Sequence, residues 1–284
     1  MDHKEVANEF VLVKSKKGKK TKPAANIDKL NHDYDLNEKL DEKRCEQLKS
    51  IILDYKLKLL TSDENQYWLK FQKSFQDFFK KNEFESITIR CYGLGSLDHN
   101  LNSRYQFALL LLIIDDLKHK NLKIESLQFY DPIFTFNDKY LIEKHFNFNI
   151  IENNDEARWC VKESVTLFYM PHCGKPLYNN LLYSNWTINN LNKLYLIGNS
   201  FDLLSTMTLN DDLINYYKYI KHSLMFLKEA KLCSKCSLTD AFSDISLHVF
   251  KPHEEEELLF DLSENNDDCR APVYESNDEI VFAK

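Results

Sequence analysis

Long apolar runs are missing from this chain of 284 residues, and the longest, Phe107 to Ile114, falls far short of what a membrane helix needs. A spanning helix takes roughly 20 apolar residues, so the sequence offers no span. No apolar stretch follows Met1-Asp2-His3-Lys4, so no secretory leader is expected. The cysteines (Cys45, Cys91, Cys160, Cys173, Cys233, Cys236, Cys269) are odd in number, and they are expected to be reduced thiols. With no secretory leader expected, the sequon Asn185-Trp186-Thr187 is expected to carry no glycan. A basic surplus is also missing. Lys and Arg total 37 against 44 Asp and Glu, a net charge of -7, which speaks against a nucleic-acid surface over the whole domain. Cys233-Ser-Lys-Cys236 stands without a second pair, so tetrahedral zinc there would need a residue such as His222 or His248. No Ser/His/Asp order or paired-carboxylate signal stands out. Glycine is scarce as well: there are five.

A hydrophobic fraction of 43% is enough for a core. Residues 14–22, Lys-Ser-Lys-Lys-Gly-Lys-Lys-Thr-Lys, have no apolar periodicity and cannot bury enough surface to offset ordering entropy. A basic, largely disordered arm over 1–42 is expected. It is a nuclear-import signal, an RNA-binding arm or a solubilising tail, and nucleic acid is expected nowhere else.

From residue 43 the spacing turns helical: Leu48, Ile51, Ile52, Tyr55 and Leu59 share one face, and Trp68, Phe71, Phe75, Phe78 and Phe79 repeat the pattern. Strands are predicted at 86–92, 125–130, 148–151, 165–170, 193–197 and 245–250, with helices at 103–118, 136–145 and 176–185. A long amphipathic helix carrying Leu213, Tyr217, Ile220, Leu224 and Leu227 on one stripe is predicted before the last strand. Such alternation predicts an α/β fold, a mostly parallel Rossmann-like sheet with helices on both faces, as one domain over 43–252. Residues 253–284, with Glu254–Glu257 and Asp267-Asp268, read as a solvated acidic tail.

Apart from Gly18 in the arm, the glycines (Gly93, Gly95, Gly174, Gly198) follow predicted strands, and Pro132, Pro171 and Pro176 cluster there too. In an open α/β sheet the carboxyl ends of the strands line the ligand crevice, so four loops are predicted to build one site. Gly93-Leu-Gly95-Ser96 is either a tight strand-to-helix turn or a set of backbone N–H groups offered to an anionic ligand. Asp131 is either a ribose-binding acid or the start of an Asp-Pro turn. The densest chemistry lies in Tyr169-Met-Pro-His172-Cys173-Gly174-Lys175-Pro176-Leu-Tyr178-Asn179-Asn180. There His172 is a candidate acid/base group or metal ligand, and Cys173 a candidate soft ligand or thiol at a helix N-terminus. Adjacent residues point apart, so the two rarely bind one metal together. Arg104, Asn199 and Ser200 complete the candidate set.

The segments Cys91-Tyr-Gly-Leu-Gly-Ser96, Ser103-Arg-Tyr-Gln106, Tyr130-Asp-Pro-Ile-Phe134, Thr166–Lys175, Leu177–Leu182 with Asn185-Trp186, and Ile197-Gly-Asn-Ser-Phe201 occur together and in order. With Phe242-x-Asp-x-Ser-x-His248-x-Phe250, this chain resembles the SRR-like (sensitivity to red light reduced) family. The basic stretch after Glu9-Phe10-Val11 is similar to the amino-terminal end of many animal members. The resemblance implies a regulator associated with circadian rhythm and light signalling in plants, and with circadian gene expression and haem biosynthesis in animals. It supplies no catalytic reaction to transfer. Asp155-Glu156-Ala157 departs from the acidic-glycine-lysine stretch of many members. Three readings follow: a regulator whose crevice holds a small ligand or peptide, with haem on His172 or Cys173 as one candidate; a methyltransferase-like enzyme with S-adenosylmethionine over Gly93–Ser96; and a protein-interaction module with an empty pocket. The location expected is cytoplasmic, with the nucleus as a second address.

Overall fold

The β-branched and aromatic run Ser86-Ile-Thr-Ile-Arg-Cys-Tyr92 forms β1 (Ser86–Tyr92), buried at every position after the first, as a strand covered on both faces must be. The structure is a computed structural model and describes residues 39–61, 65–79, 84–232, 239–252 and 271–274. β2 (Lys123–Tyr130), β3 (Asn149–Ile150), β4 (Val165–Met170) and β5 (Leu194–Asn199) continue the parallel sheet, which β6 (Leu227–Lys231) and β7 (Ile245–Phe250) extend. The order is β3-β2-β1-β4-β5-β7-β6, with β7 antiparallel to both neighbours.

The helices are α1 (Glu42–Thr61), α2 (Asn65–Phe79), α3 (Leu101–His119), α4 (Phe136–Tyr140), α5 (Lys175–Ser184), α6 (Ile188–Asn192), α7 (Phe201–Met207), α8 (Asn210–Asn215), α9 (Lys218–Ser223) and α10 (Thr239–Phe242). A π-helical turn, Leu141–His145, extends α4. Alternation along each strand sorts side chains into two cores. Ile87, Ile89, Cys91, Leu167, Tyr169, Leu247 and Val249 pack with Leu48, Ile52, Phe71 and Phe107 from α1–α3. Phe168, Met170, Leu194, Leu196 and Phe250 pack with Tyr178, Leu181, Phe201, Leu213 and Ile220 from α5–α9. Helices therefore cover both faces, as the alternating pattern predicts. Every residue of α3 from Phe107 to Ile114 is buried, so the longest apolar run is a core helix. Among the described residues no helix is long and apolar enough to cross a membrane.

The predicted long helix over 213–227 is broken. Leu213 belongs to α8, Ile220 to α9, and Leu227 opens β6. The break at Tyr217 (φ -124, ψ 38) has a tertiary cause: the Asn179 side-chain oxygen accepts the N–H groups of Tyr219 and Ile220 (3.1 and 3.4 Å), so α5 caps the start of α9. Leu213, Tyr217 and Ile220 still face one core, which is why their spacing read as a single stripe. β6, Leu-Lys-Glu-Ala-Lys, is an edge strand blunted by charge and gave no strand signal.

The lysine arm, Cys233 and Cys236, and the acidic clusters at 254–257 and 267–268 lie outside the described residues. The tail is not solvated throughout, because Tyr274 is 5% exposed and packs into the second core.

Candidate functional site

Ligands in open sheets lie where neighbouring strands send their connections to opposite faces. Here that point falls between β1, which leads to α3, and β4, which leads to α5.

Gly93 and Gly95 take φ of 65° and 78°, a region closed to most side chains. Gly93 N–H donates to Tyr130 O at 3.2 Å, and Gly95 N–H to Asp131 Oδ2 at 2.7 Å. A Cβ on Gly93 would run into Cys173 Sγ, and one on Gly95 would lie 2.6 Å from Ser103 Oγ. Of the N–H groups in the turn, those of Gly93 and Gly95 are thus donated inside the protein, and the space beside both glycines is filled by its own side chains. The second oxygen of Asp131 accepts Ile133 N–H at 3.0 Å, which is the Asp-Pro turn. Burial pushes the Asp131 carboxyl above its ordinary range, against the pull of those two N–H groups.

Beneath the turn, Ser96 Oγ accepts His99 N–H at 3.2 Å. Arg104 donates Nε to Leu97 O at 2.6 Å and Nη2 to Asp98 O. The Asp98 carboxylate receives Arg44 Nε and Asn137 Nδ2, both at 2.8 Å. Burial raises its pKa, but these two partners outweigh burial and hold it low. Ser96 and Arg104 therefore fix the loop that carries the glycines.

At the end of β4, His172 adopts φ 57°, its N–H donates to Asn199 Oδ1 at 2.8 Å, and its Nε2 lies 3.2 Å from Ala241 O. Cys173 Sγ donates to Tyr92 O at 3.3 Å, and its carbonyl accepts Asn199 Nδ2 at 3.1 Å. The two side chains end on different elements, α10 and β1, so they do not offer two ligands to one iron. The Asn199 amide holds the turn between them. Ser200 caps α7 by accepting Leu203 N–H at 3.2 Å. Tyr178 donates to Met170 O at 2.6 Å and accepts Asn199 N–H at 2.9 Å, its ring filling the space over Gly198, where a Cβ would sit 2.8 Å away.

Lys175, Asn179 and Asn180 gather on a second flank of α5. Lys175 Nζ reaches Thr208 Oγ1 at 3.3 Å and lies over the Tyr217 ring at 5.2 Å. Asn180 Nδ2 donates to Glu156 O at 3.0 Å. The candidate residues thus fall into two neighbouring groups, one at the strand ends and one on this flank. Tyr274, which the sequence reading left in a solvated tail, sits on the flank, with its hydroxyl 2.9 Å from Asn179 Nδ2 and 3.1 Å from Asn180 Oδ1.

The sequence reading also missed Arg90, 4% exposed on β1, where a buried guanidinium in an apolar strand was the available signal. It donates to Tyr92 OH (2.8 Å), Gln128 Oε1 (2.9 Å) and Asp155 Oδ2 (2.7 Å), and lies 4.5 Å from the Trp159 ring. Tyr92 OH donates to the same Asp155 oxygen at 2.9 Å, and burial pushes this phenol up. Asp155 opens the loop in which Glu156 and Ala157 hold φ of 52° and 58°. A glycine would take that conformation freely, which accounts physically for the glycine expected there by resemblance. Among the described residues no group of three His, Cys, Asp or Glu is placed to hold a metal ion, and Cys45, Cys91, Cys160 and Cys173 are free thiols.

The SRR1-like protein of Mus musculus is 35% identical over 130 residues, 46% of this chain and 51% of that protein. The SRR1-like protein of Drosophila melanogaster is 30% identical over 197 residues, 68% of this chain and 64% of its own. Protein SENSITIVITY TO RED LIGHT REDUCED 1 of Arabidopsis thaliana is 31% identical over 114 residues, 39% of either chain. The chain spans about half the length of the mouse relative and less than two thirds of the other two. A solved plantazolicin methyltransferase, BpumL, is similar over 73% of this chain and 99% of its own at 13% identity, and its TM-score of 0.32 is too low to carry an argument. The SRR1 domain model matches residues 14–249, and the chain belongs to that family.

Proposed function

We propose that this chain is a regulatory SRR1-family protein that acts by binding a small molecule or peptide in the crevice between the carboxyl ends of β1 and β4. The roles implied by resemblance, in circadian gene expression and in regulation of haem biosynthesis, are then exerted through that binding, in the cytoplasm and, where the Lys14–Lys22 arm serves as an import signal, in the nucleus. One observation carries the choice of binding over chemistry. The reactive groups at the strand ends are spent on the protein itself: both Asp131 oxygens on backbone N–H groups, Cys173 Sγ on Tyr92 O, and His172 Nε2 beside Ala241 O. Groups held in this way are suited to positioning a recognition surface and not to exchanging protons or bonds with a substrate.

The methyltransferase-like reading keeps one favourable observation. The Gly93–Gly95 turn and Asp131 meet at the strand-order reversal, where nucleosides bind in open sheets, and each Asp131 oxygen has acceptor capacity beyond its one N–H. Thermal unfolding against S-adenosylmethionine, NAD, ATP and haem separates the readings. A ligand at 100 times its dissociation constant adds about 2.7 kcal/mol, roughly 5–10 °C for a domain of this size. A shift with S-adenosylmethionine that Asp131→Ala removes supports the enzyme. A haem shift and Soret change lost in His172→Ala support a haem-responsive regulator. No shift with any of the four overturns a crevice for these ligands and leaves the interaction module.

A further inference from the structure

The flank of α5 is built around a tyrosine that arrives from elsewhere in the chain. β7 ends at Phe250, and in the described segment 271–274, Ala-Pro-Val-Tyr, Tyr274 lies against α5 and against Tyr217 just before α9. Val273 is 81% exposed, while the next residue, Tyr274, is buried. Arg158 holds the backbone by donating Nη2 to Pro272 O at 3.1 Å, and is itself paired with Glu156 at 3.3 Å. The Tyr274 ring stacks on Tyr217, with centroids 5.9 Å apart and planes 20° from parallel.

The hydroxyl is matched atom by atom. It accepts Asn179 Nδ2–H at 2.9 Å and directs its own proton to Asn180 Oδ1 at 3.1 Å or Pro176 O at 3.2 Å. Asn179 and Asn180 are completely buried. Asn179 Oδ1 is spent on the start of α9, and Asn180 Nδ2 on Glu156 O. Asn180 Oδ1 has Tyr274 OH as its only donor among the described residues. A buried amide oxygen reserved for one phenol is a costly arrangement unless a phenol is to be recognised.

We infer that this flank is a peptide site that reads an unmodified tyrosine in a short segment, with Ala271–Tyr274 as its tethered occupant. Specificity has two parts. A phenylalanine in place of the tyrosine would strand Asn180 Oδ1 and one Asn179 N–H. A phosphotyrosine would set an anion with acceptor oxygens against Asn180 Oδ1 and Pro176 O, both acceptors themselves. The internal segment belongs to the same chain, so a free segment of the same sequence competes poorly until the internal one leaves. The inference is independent of the strand-end crevice.

Calorimetric titration of the full chain tests it, using acetyl-Ala-Pro-Val-Tyr-amide and the same peptide ending in phenylalanine or phosphotyrosine. The tyrosine peptide is expected to bind the Tyr274→Ala protein at least tenfold more tightly than the wild type, and at least tenfold more tightly than either altered peptide. Three results overturn the inference: no binding to a Tyr274→Ala protein whose circular dichroism matches the wild type, equal binding of the three peptides, or equal binding to wild type and variant. If Tyr274→Ala does not fold, Tyr274→Phe replaces it, since the stacked ring is kept. The tyrosine peptide should then displace the internal segment of the Tyr274→Phe protein about tenfold more readily than that of the wild type, and equal displacement refutes the site.

Discussion

Replacing Gly95 by alanine separates two reasons for a glycine at that turn. The residue holds φ 78°, and a Cβ there would lie 2.6 Å from Ser103 Oγ. The left-handed conformation costs a non-glycine residue about 1–2 kcal/mol. Forcing a methyl against a packed neighbour costs about 1–3 kcal/mol more. Gly95→Ala should therefore lose about 2–5 kcal/mol in equilibrium urea unfolding, or roughly 4–20 °C in Tm at 2–4 °C per kcal/mol. Ser103→Ala removes the clashing oxygen and leaves its own Cβ 3.8 Å away, at ordinary contact. The double variant should recover the packing part and retain only the conformational part, so the cycle should show a coupling of about 1–3 kcal/mol. A coupling below about 0.5 kcal/mol would refute the claim that Ser103 fills the glycine's space. A Gly95→Ala protein as stable as wild type would refute both parts.

Three further outcomes are expected. Arg90→Lys keeps the charge but loses the planar fork shared by Tyr92, Gln128 and Asp155, so urea unfolding should show a loss of about 2 kcal/mol or more, and wild-type stability would count against that network. Burial lowers His248 to about 4, with Glu229 pulling the other way, so the unfolded chain takes up a proton between pH 6.5 and 4 that the folded chain does not. On the order of 3 kcal/mol present above pH 6.5 should be lost as pH falls to 4, and a His248→Gln protein with an equally steep loss would point elsewhere. Of the thiols on described residues, exposed Cys160 should be alkylated first under native conditions, while burial pushes Cys91 up and Cys45 to about 11; peptide mass mapping that finds Cys45 modified first would contradict this.

β1, β4 and β7 could be read from the sequence because each is a short run rich in β-branched and apolar residues, and the strand-end cluster because scarce glycines and prolines mark strand ends. What filled the space beside those glycines was not readable: Cys173, Ser103 and Tyr178 reach it only through the fold. The broken helix was hidden because its cap comes from Asn179, 40 residues away from Tyr219. β6 was missed because an exposed edge is defended by lysine and glutamate, which read as loop. The candidate residues fall into two groups because Asn179 and Asn180, though next to Tyr178 in sequence, face Tyr274 rather than the end of β5.

The insertion of β7 between β5 and β6 sets an order of events during synthesis. β6 pairs with β7 and with no other strand among the described residues, and the outer edge of β5 is closed by β7 as well. About 50 residues separate the end of β5 from the end of β7. At roughly 5–20 residues per second, a ribosome leaves that edge open for about 3–10 s. A chain cut or stalled between Lys231 and Ile245 is missing an interior strand rather than a peripheral one, and both β5 and β6 then lack their β7 partner, leaving open backbone edges for which chaperones and other nascent chains compete.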